Sequence, residues 1–237
     1  APRESFRFIR SCSSALAPAV FERLEERFGG PVLEAYGMTE ASHQMSSSPM
    51  HPGKRIPGTV GVATGVEIAI MDMAATGQLQ KTGDIGEIVI KGENVMHGYN
   101  NNPEANAEAF VDGWFRTGDQ GFLDTEGYLA LTGRIKELIN RGGEKISPLE
   151  IDGILLKHPS VSEAVCFAVP DEKYGEVVHA AVVLNGDADQ EAIRAYCREQ
   201  MAGFKVPDVV YIADSLPRTA TGKIQRRHMV AAFAENK

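Results

Sequence analysis

Cysteine is scarce, tryptophan is present once and long apolar runs are missing from this 237-residue chain. The cysteines Cys12, Cys166 and Cys197 are odd in number, widely separated and in no C-x-x-C spacing. That excludes a disulfide framework and a zinc ribbon, and fits a reducing compartment. No apolar stretch approaches the roughly 20 residues that span a bilayer. The longest, Ala164 to Pro170 and His179 to Leu184, have strand length, so no membrane insertion is expected. A basic excess is lacking too. Lys and Arg number 24 against 32 Asp and Glu, for a net charge of -8, and the basic residues are scattered. No nucleic-acid partner is expected, and any nucleotide bound should be a small one. There is no signal peptide and no terminal S-K-L tripeptide, from which a cytoplasmic location is expected. The first residue is Ala rather than Met, from which a fragment of a longer protein is expected. Oligomeric state is not legible.

What is present is a globular composition, 43% hydrophobic and 24% charged. Residues 6 to 11 read as a strand. Pro18 then opens a helix whose Phe21, Leu24 and Phe28 share one face before Gly29-Gly30 stops it. A short strand, Val32 to Tyr36, follows. From Gly53 to Gly133 short alternating runs (Val66/Ile68/Ile70, Ile88/Ile90, Tyr128/Leu129/Leu131) are punctuated by glycine turns. This predicts a small β-barrel or sheet module, interrupted by a helix from near Pro103. Beyond Gly133, strands alternate with amphipathic helices. Ser147-Pro148-Leu149-Glu150 is a capping box with Pro at the first helical position, followed by the apolar stripe Ile151, Ile154, Leu155. Strands near 161–169, 177–184 and 208–213, a helix near 189–201 and a last helix from about 225 complete an α+β unit. Domains are therefore expected at 1–133 and 134–237.

Four segments can carry chemistry, and each alone reads at least as well as a structural element with no such role. Glu34-Ala35-Tyr36-Gly37-Met38-Thr39-Glu40 ends a strand in a glycine turn with an aromatic for a base, a hydroxyl for a phosphate and a carboxylate for Mg²⁺. Gly113 to Asp119 places Asp119 where both carboxylate oxygens could accept from a ribose diol. Gly133 to Ile146 holds the Gly142-Gly143 pair at the domain boundary, where backbone can approach a ligand closely. Pro217 to Arg227 puts Lys223 on a glycine-containing loop, a mobile point charge for phosphate oxygens, without the spacing of a Walker A loop.

In this order and spacing the four segments resemble the adenylate-forming superfamily of acyl-CoA synthetases, luciferases and peptide-synthetase adenylation domains. Ser11-Cys12-Ser13-Ser14-Ala15-Leu16 is similar to that family's adenine-side loop, with Cys-Ser-Ser in place of its usual small Gly/Ala run. The family's Pro-Lys-Gly phosphate loop has no counterpart here. The resemblance therefore implies the end of the large AMP-binding domain, with a β-barrel-like subdomain, followed by the complete small C-terminal domain, and a piece inactive by itself with exposed apolar surface on its first part. The stretches Glu34 to Met45, Gly98 to Asn106, Gly133 to Pro148 and Gly222 to Arg227 are similar to the plant and fungal oxalate CoA ligase group. Coumarate CoA ligases, medium- or long-chain acyl-CoA synthetases and a non-catalytic module keeping the fold are the alternatives.

The resemblance implies ATP, Mg²⁺ and coenzyme A as cofactors and a small carboxylic acid as substrate. It implies Lys223, Glu40 and Thr39 as catalytic residues, with Glu40 holding the metal. Ser13, Ser14, Glu34, Ala35, Tyr36, Gly37, Met38, Thr39, Asp119, Arg134, Lys145 and Lys223 would contact the nucleotide. Lys136 would be the hinge of domain alternation, and Gly142, Gly143 and Glu144 would line the CoA tunnel. Ser42 and His43, directly after the metal carboxylate, would donate to the second carboxylate of oxalate, an acid with no hydrocarbon tail to bury.

Overall fold

A computed structural model describes residues 7–74, 76–220 and 222–235. The chain divides into two compact units, Ala1–Ile135 and Lys136–Lys237. The division falls two residues beyond the boundary expected from sequence. Arg134 is paired with Asp119 in a β-ladder and so stays with the first unit, and the break comes in a 3-10 turn over Ile135–Glu137.

The first unit opens with β1 (Ile9–Cys12), α1 (Pro18–Phe28) and β2 (Val32–Met38). Of the strand expected over 6–11, residue 6 lies outside the described residues. Pro18 pre-sets the first helical turn, and Gly29 closes α1 in the left-handed conformation at φ 69°, its N–H donating to the Glu25 carbonyl. Phe21 is buried as expected. Phe28 departs from the expected buried face, with 39% of its surface exposed. β2 runs parallel to β1 and antiparallel to β3 (His43–Ser47), which pairs with β4 (Val62–Ala63).

A second, curled sheet holds β5 (Glu67–Met71), β6 (Gly86–Lys91), β7 (Phe110–Val111), β8 (Trp114–Leu123) and β9 (Leu129–Arg134), with α2 (Pro103–Ala109) preceding β7. β8 is long enough to pair with β6, β7 and β9, and its register shifts opposite Glu87/Val89 and at Gln120/Gly121. Such shifts bend a strand and raise its twist, as curling requires. Tyr36 and Met45 from the first sheet share a core with Ile70, Ile88, Ile90, Phe115 and Leu129 from the second.

The second unit is one sheet in the order β11 (Glu144–Ile146), β10 (Ile139–Arg141), β13 (Gly175–Leu184), β12 (Val161–Asp171), with β14 (Val209–Ile212) parallel to β13. Period-2 alternation sorts its side chains. Ala164, Cys166, Val178, Ala180 and Val182 pack with Ile151 and Leu155 of α3 (Pro148–Leu155) and with Ile193 and Cys197 of α4 (Gln190–Gln200). Val165, Phe167 and Ala181 face the other way, under Leu216 and Met229. The Ser147 cap is formed, the Glu150 N–H donating to the Ser147 hydroxyl at 3.3 Å, while the Glu150 carboxylate pairs with Lys205 at 2.7 Å. Ile154 is only half-buried. The helix expected from about 225 is instead a 3-10 turn, Arg226–His228, and a π turn, Val230–Ala234. Gln225 supplies no side-chain cap, and packing of Met229 and Phe233 on the sheet sets the local winding.

Candidate functional site

In the first unit the candidate residues gather at the end of β2 and in the middle of β8. After Tyr36 the β2–β3 register slips by one residue, and Gly37 lies so close to the His43 carbonyl that a Cβ would sit 1.6 Å from its oxygen. Only glycine fits. The chain then makes a 3-10 turn, Thr39–Ala41, and reverses through Ser42 and His43, both left-handed at φ 52° and 88°. A distant segment braces this strained reversal. Asn94 donates to the Ala41 carbonyl at 2.9 Å, the Ser42 hydroxyl donates to the Asn94 carbonyl at 2.9 Å, and the Met96 N–H donates to the Glu40 carbonyl at 2.8 Å. Thr39 and His43 are exposed and Glu40 is half-buried. The Tyr99 hydroxyl donates to Glu40 Oε1 at 3.1 Å. Burial, and then the Glu40 charge, raise the pKa of Tyr99, so at neutral pH it remains a donor.

Asp119 is the second centre. Tyr36 is buried within the core and donates its hydroxyl to Asp119 Oδ2 at 2.6 Å, while Arg134 Nε reaches Oδ1 at 2.9 Å. Desolvation first, and then the Asp119 charge, push the Tyr36 pKa well up. The structure therefore shows Tyr36 holding a carboxylate by its hydroxyl, with most of its ring covered by the core. The Asp119 N–H donates to the Thr117 hydroxyl, which itself donates to the Ile88 carbonyl at 2.7 Å. Gly118, at φ 72°, makes the kink before Asp119, and its N–H donates to Glu87 Oε1, the other oxygen of Glu87 being paired with Arg116. Sequence reasoning assigns no role to Thr117, Glu87, Asn94 or Tyr99; Thr117 and Tyr99 lie inside stretches it singles out, and Glu87 and Asn94 carry no signal.

The loop Ser13-Ser14 is exposed, with Ser13 at φ 74°. It is anchored by Glu34, whose Oε1 accepts from the Leu16 N–H at 3.1 Å. Ala35 and Glu34 are buried on β2, Met38 is half-buried, and burial pushes the Glu34 carboxyl up to about 7.

In the second unit β10 and β11 pair Arg141 with Glu144 across a Gly142-Gly143 turn at φ 60° and 98°, the two-positive-φ geometry that suits a two-residue hairpin. The Gly142 N–H donates to the Tyr174 carbonyl at 2.8 Å, whereas a Cβ on Gly143 would meet nothing within 4 Å. Glu144 and Lys145 are exposed, and Lys136 is exposed at the unit boundary. The Tyr174 ring carries Arg141 at 5.2 Å and Lys173 at 4.8 Å from its centroid, an aromatic and cationic pairing beside the glycine turn.

Lys223 is exposed on a small hairpin in which Arg218 bridges to Ile224. Thr219 N–H donates to the Lys223 carbonyl at 2.8 Å, and Lys223 N–H to the Thr219 hydroxyl at 3.0 Å. Thr221, part of the same motif, lies outside the described residues. Arg218 holds the hairpin by Glu163 at 2.5 Å and the Gly222 carbonyl. Arg226 follows, bound to Asp152 at 2.8 Å, Glu137 at 3.1 Å and the Cys166 carbonyl.

Among the described residues no group of three or more His, Cys, Asp or Glu could hold a metal ion, and no helix is long and apolar enough to cross a membrane. A divalent ion carried in on phosphates needs only one or two protein carboxylates, and Glu40, half-exposed with one oxygen held by Tyr99, fits that requirement.

Residues 1–100 match the family described as AMP-binding enzyme, and residues 150–223 match the AMP-binding enzyme C-terminal domain. Over an aligned length of 239 that takes in 99% of the chain, it is 56% identical to an oxalate–CoA ligase of Saccharomyces cerevisiae, of which it covers 44%. Over 232 residues, 97% of the chain, it is 56% identical to an oxalate–CoA ligase of Arabidopsis thaliana, of which it covers 45%. Among solved structures, ATP-bound MatB from Rhodopseudomonas palustris superposes with a TM-score of 0.90 at 35% identity, over 97% of this chain and 46% of that one. The chain thus spans a little under half the length of these relatives.

Proposed function

Because this chain belongs to the adenylate-forming, AMP-binding enzyme family, we propose that the protein containing it is an acid–CoA ligase that converts oxalate, ATP and CoA into oxalyl-CoA, AMP and pyrophosphate. The observation that carries this reading is 56% identity to oxalate–CoA ligases of a yeast and a plant over nearly the whole chain.

The oxyanion of a carboxylate is a poor leaving group, so the acid is first activated. A carboxylate oxygen attacks the α-phosphorus of ATP and pyrophosphate departs. We assign Asp119 and Arg134 to the ribose, Tyr36 and the Glu34-to-Met38 strand with Ser13 and Ser14 to the adenine side, and Thr39 and Lys145 to phosphate oxygens. The hydrogen-bonded frame of Asp119 suits that role, because a carboxylate held on both sides is pre-aimed. Mg²⁺, held by Glu40 together with the phosphates, would neutralise charge on the triphosphate. Lys223 stabilises negative charge as the carboxylate meets the α-phosphate. In the second step the CoA thiolate attacks the acyl carbon and AMP leaves, the thiol proton passing to solvent. Gly142, Gly143 and Glu144 admit the pantetheine arm, with Tyr174, Arg141 and Lys173 offering a ring and positive charge to the nucleotide end. Lys136 is the hinge that lets the second unit serve each half-reaction with a different segment.

For the acid itself, the Ser42 hydroxyl proton is committed to the Asn94 carbonyl. The exposed imidazole of His43 is therefore the donor left for a second carboxylate. The test is CoA-dependent AMP formation by the intact protein with oxalate, malonate, acetate, coumarate and a fatty acid, each against His43→Ala. Oxalate should be preferred, and His43→Ala should cost oxalate about 2 to 4 kcal/mol more than acetate in kcat/KM. Preference for coumarate, or equal losses on both acids, refutes the assignment.

A further inference from the structure

The stretch Gly98-Tyr99-Asn100-Asn101-Asn102-Pro103-Glu104-Ala105-Asn106 stands out in the sequence, and none of the roles above uses it. In the structure it is a device aimed at Glu40. Asn106, on α2, grips the main chain of Tyr99 from both sides: its Oδ1 accepts the Tyr99 N–H at 2.6 Å and its Nδ2 donates to the Tyr99 carbonyl at 3.0 Å. Gly98, at φ 151°, lets the Asn106 amide lie against the backbone, since a Cβ there would come within 3.0 to 3.2 Å of it. Asn102 caps α2 by accepting from the Ala105 N–H, which fixes the helix that carries Asn106. With its backbone clamped, Tyr99 places its hydroxyl 3.1 Å from Glu40 Oε1, across 59 residues of sequence. The preceding residues brace the same turn through Met96 and Asn94.

We propose that Tyr99 is a positioning residue for the Glu40 carboxylate: its hydroxyl occupies Oε1 and fixes the rotamer, so that Oε2 is presented to the divalent ion that accompanies ATP. The inference rests on the reading of Glu40 as the metal carboxylate. A ligating carboxylate left to rotate loses part of its affinity to conformational averaging, and a hydrogen bond on the non-ligating oxygen removes that freedom. Tyr99→Phe deletes only the hydroxyl of an exposed residue, so the fold keeps its ring.

The test uses the intact protein and compares wild type, Tyr99→Phe, Asn106→Ala and Glu40→Gln. Mn²⁺ binding in the presence of a non-hydrolysable ATP analogue is followed by electron paramagnetic resonance, and the half-saturating Mg²⁺ is read from pyrophosphate exchange. Tyr99→Phe should weaken Mn²⁺ binding and raise half-saturating Mg²⁺ by about tenfold. Asn106→Ala should shift both in the same direction, and thioester formation from supplied acyl-adenylate should be unchanged in Tyr99→Phe. Wild-type metal affinity in Tyr99→Phe, alongside a loss in Glu40→Gln, overturns the role of Tyr99 and leaves that of Glu40 standing. Wild-type affinity in Glu40→Gln overturns the metal reading, and the role of Tyr99 with it. Equal loss of both half-reactions in Tyr99→Phe also overturns the proposal, because a hydroxyl acting through the metal serves only the first.

Discussion

Glu34 offers a pH experiment whose size follows from its surroundings. It is 4% exposed, Oε1 accepts from the Leu16 N–H, and Oε2 is buried with no hydrogen-bond partner among the described residues. Desolvation is the larger influence and the Leu16 bond the smaller, opposing one, and together they raise the carboxyl from 4.5 to about 7. A raised folded pKa means that the folded state binds the proton more tightly than the unfolded chain. Its contribution to stability is thus complete below pH 4.5, declines as pH rises toward 7 and is absent above that. The shift corresponds to about 3 kcal/mol between the two limits. Glu34→Gln keeps the acceptor for Leu16 and stays neutral at every pH, so it removes the titration alone. The single tryptophan, Trp114, lies on β8 of the same unit and reports its unfolding. Urea titrations of the chain at pH 5 and pH 8.5 should find the Gln variant gaining on wild type at the higher pH by about 1 to 2 M in midpoint. If the difference between the two proteins is the same at both pH values, Glu34 is already ionised and solvated in the fold, and the desolvation argument fails.

Other perturbations probe the proposed chemistry. Lys223→Ala should reduce pyrophosphate exchange by at least about a hundredfold while sparing thioester formation from supplied acyl-adenylate, since its charge is used where the phosphorus bond forms; equal loss of both would refute the division of labour. Gly143→Leu meets open space but must hold φ 98°, so it should destabilise the hairpin by about 1 to 2 kcal/mol, block CoA and leave exchange intact; unchanged CoA kinetics would remove Gly143 from the tunnel. Arg226→Met leaves Asp152 buried without its cation and should cost the second unit about 3 to 5 kcal/mol, read as faster hydrogen exchange in β12 and β13; unaltered protection would show the pair to be dispensable.

Local rules made much of this fold legible before the structure. The helix cap at Ser147, the glycine pair that turns β10 into β11 and the alternation along β12 and β13 each follow from neighbours a few residues apart. What could not be read are bonds whose partners are far apart in sequence. Tyr36 and Asp119 lie 83 residues apart, Tyr99 and Glu40 59, and Arg226 and Glu137 89. No periodicity encodes such pairs, because they form only after sheet curvature and register have set the distances. Tyr36 shows the consequence: its motif marks the aromatic residue, while the carboxylate that its hydroxyl holds lies on a different strand and carries no mark pointing back to it. Phe28 shows the reverse case, where helical periodicity assigns an apolar residue to a buried face and the fold leaves 39% of it exposed.

The arginines on either side of Lys223 explain how a flexible side chain can be delivered with precision. Arg218 ties the start of the hairpin to Glu163 on β12, and Arg226 ties its end to Asp152 on α3 and to Glu137, the residue directly after Lys136. Burying an ion pair as completely as Arg226 and Asp152, with 16% and 14% of their side chains exposed, is a poor way to gain stability, since desolvation offsets most of the attraction. It is a good way to fix position, because the guanidinium satisfies Asp152, Glu137 and the Cys166 carbonyl in a single orientation. Both flanks of the lysine hairpin are thereby tied to the core of the second unit, and one of them also to Glu137 just past the boundary. If Lys136 is the hinge proposed above, a rotation there carries Lys223 along with the β12 strand and α3 helix to which Arg218 and Arg226 tie its flanks.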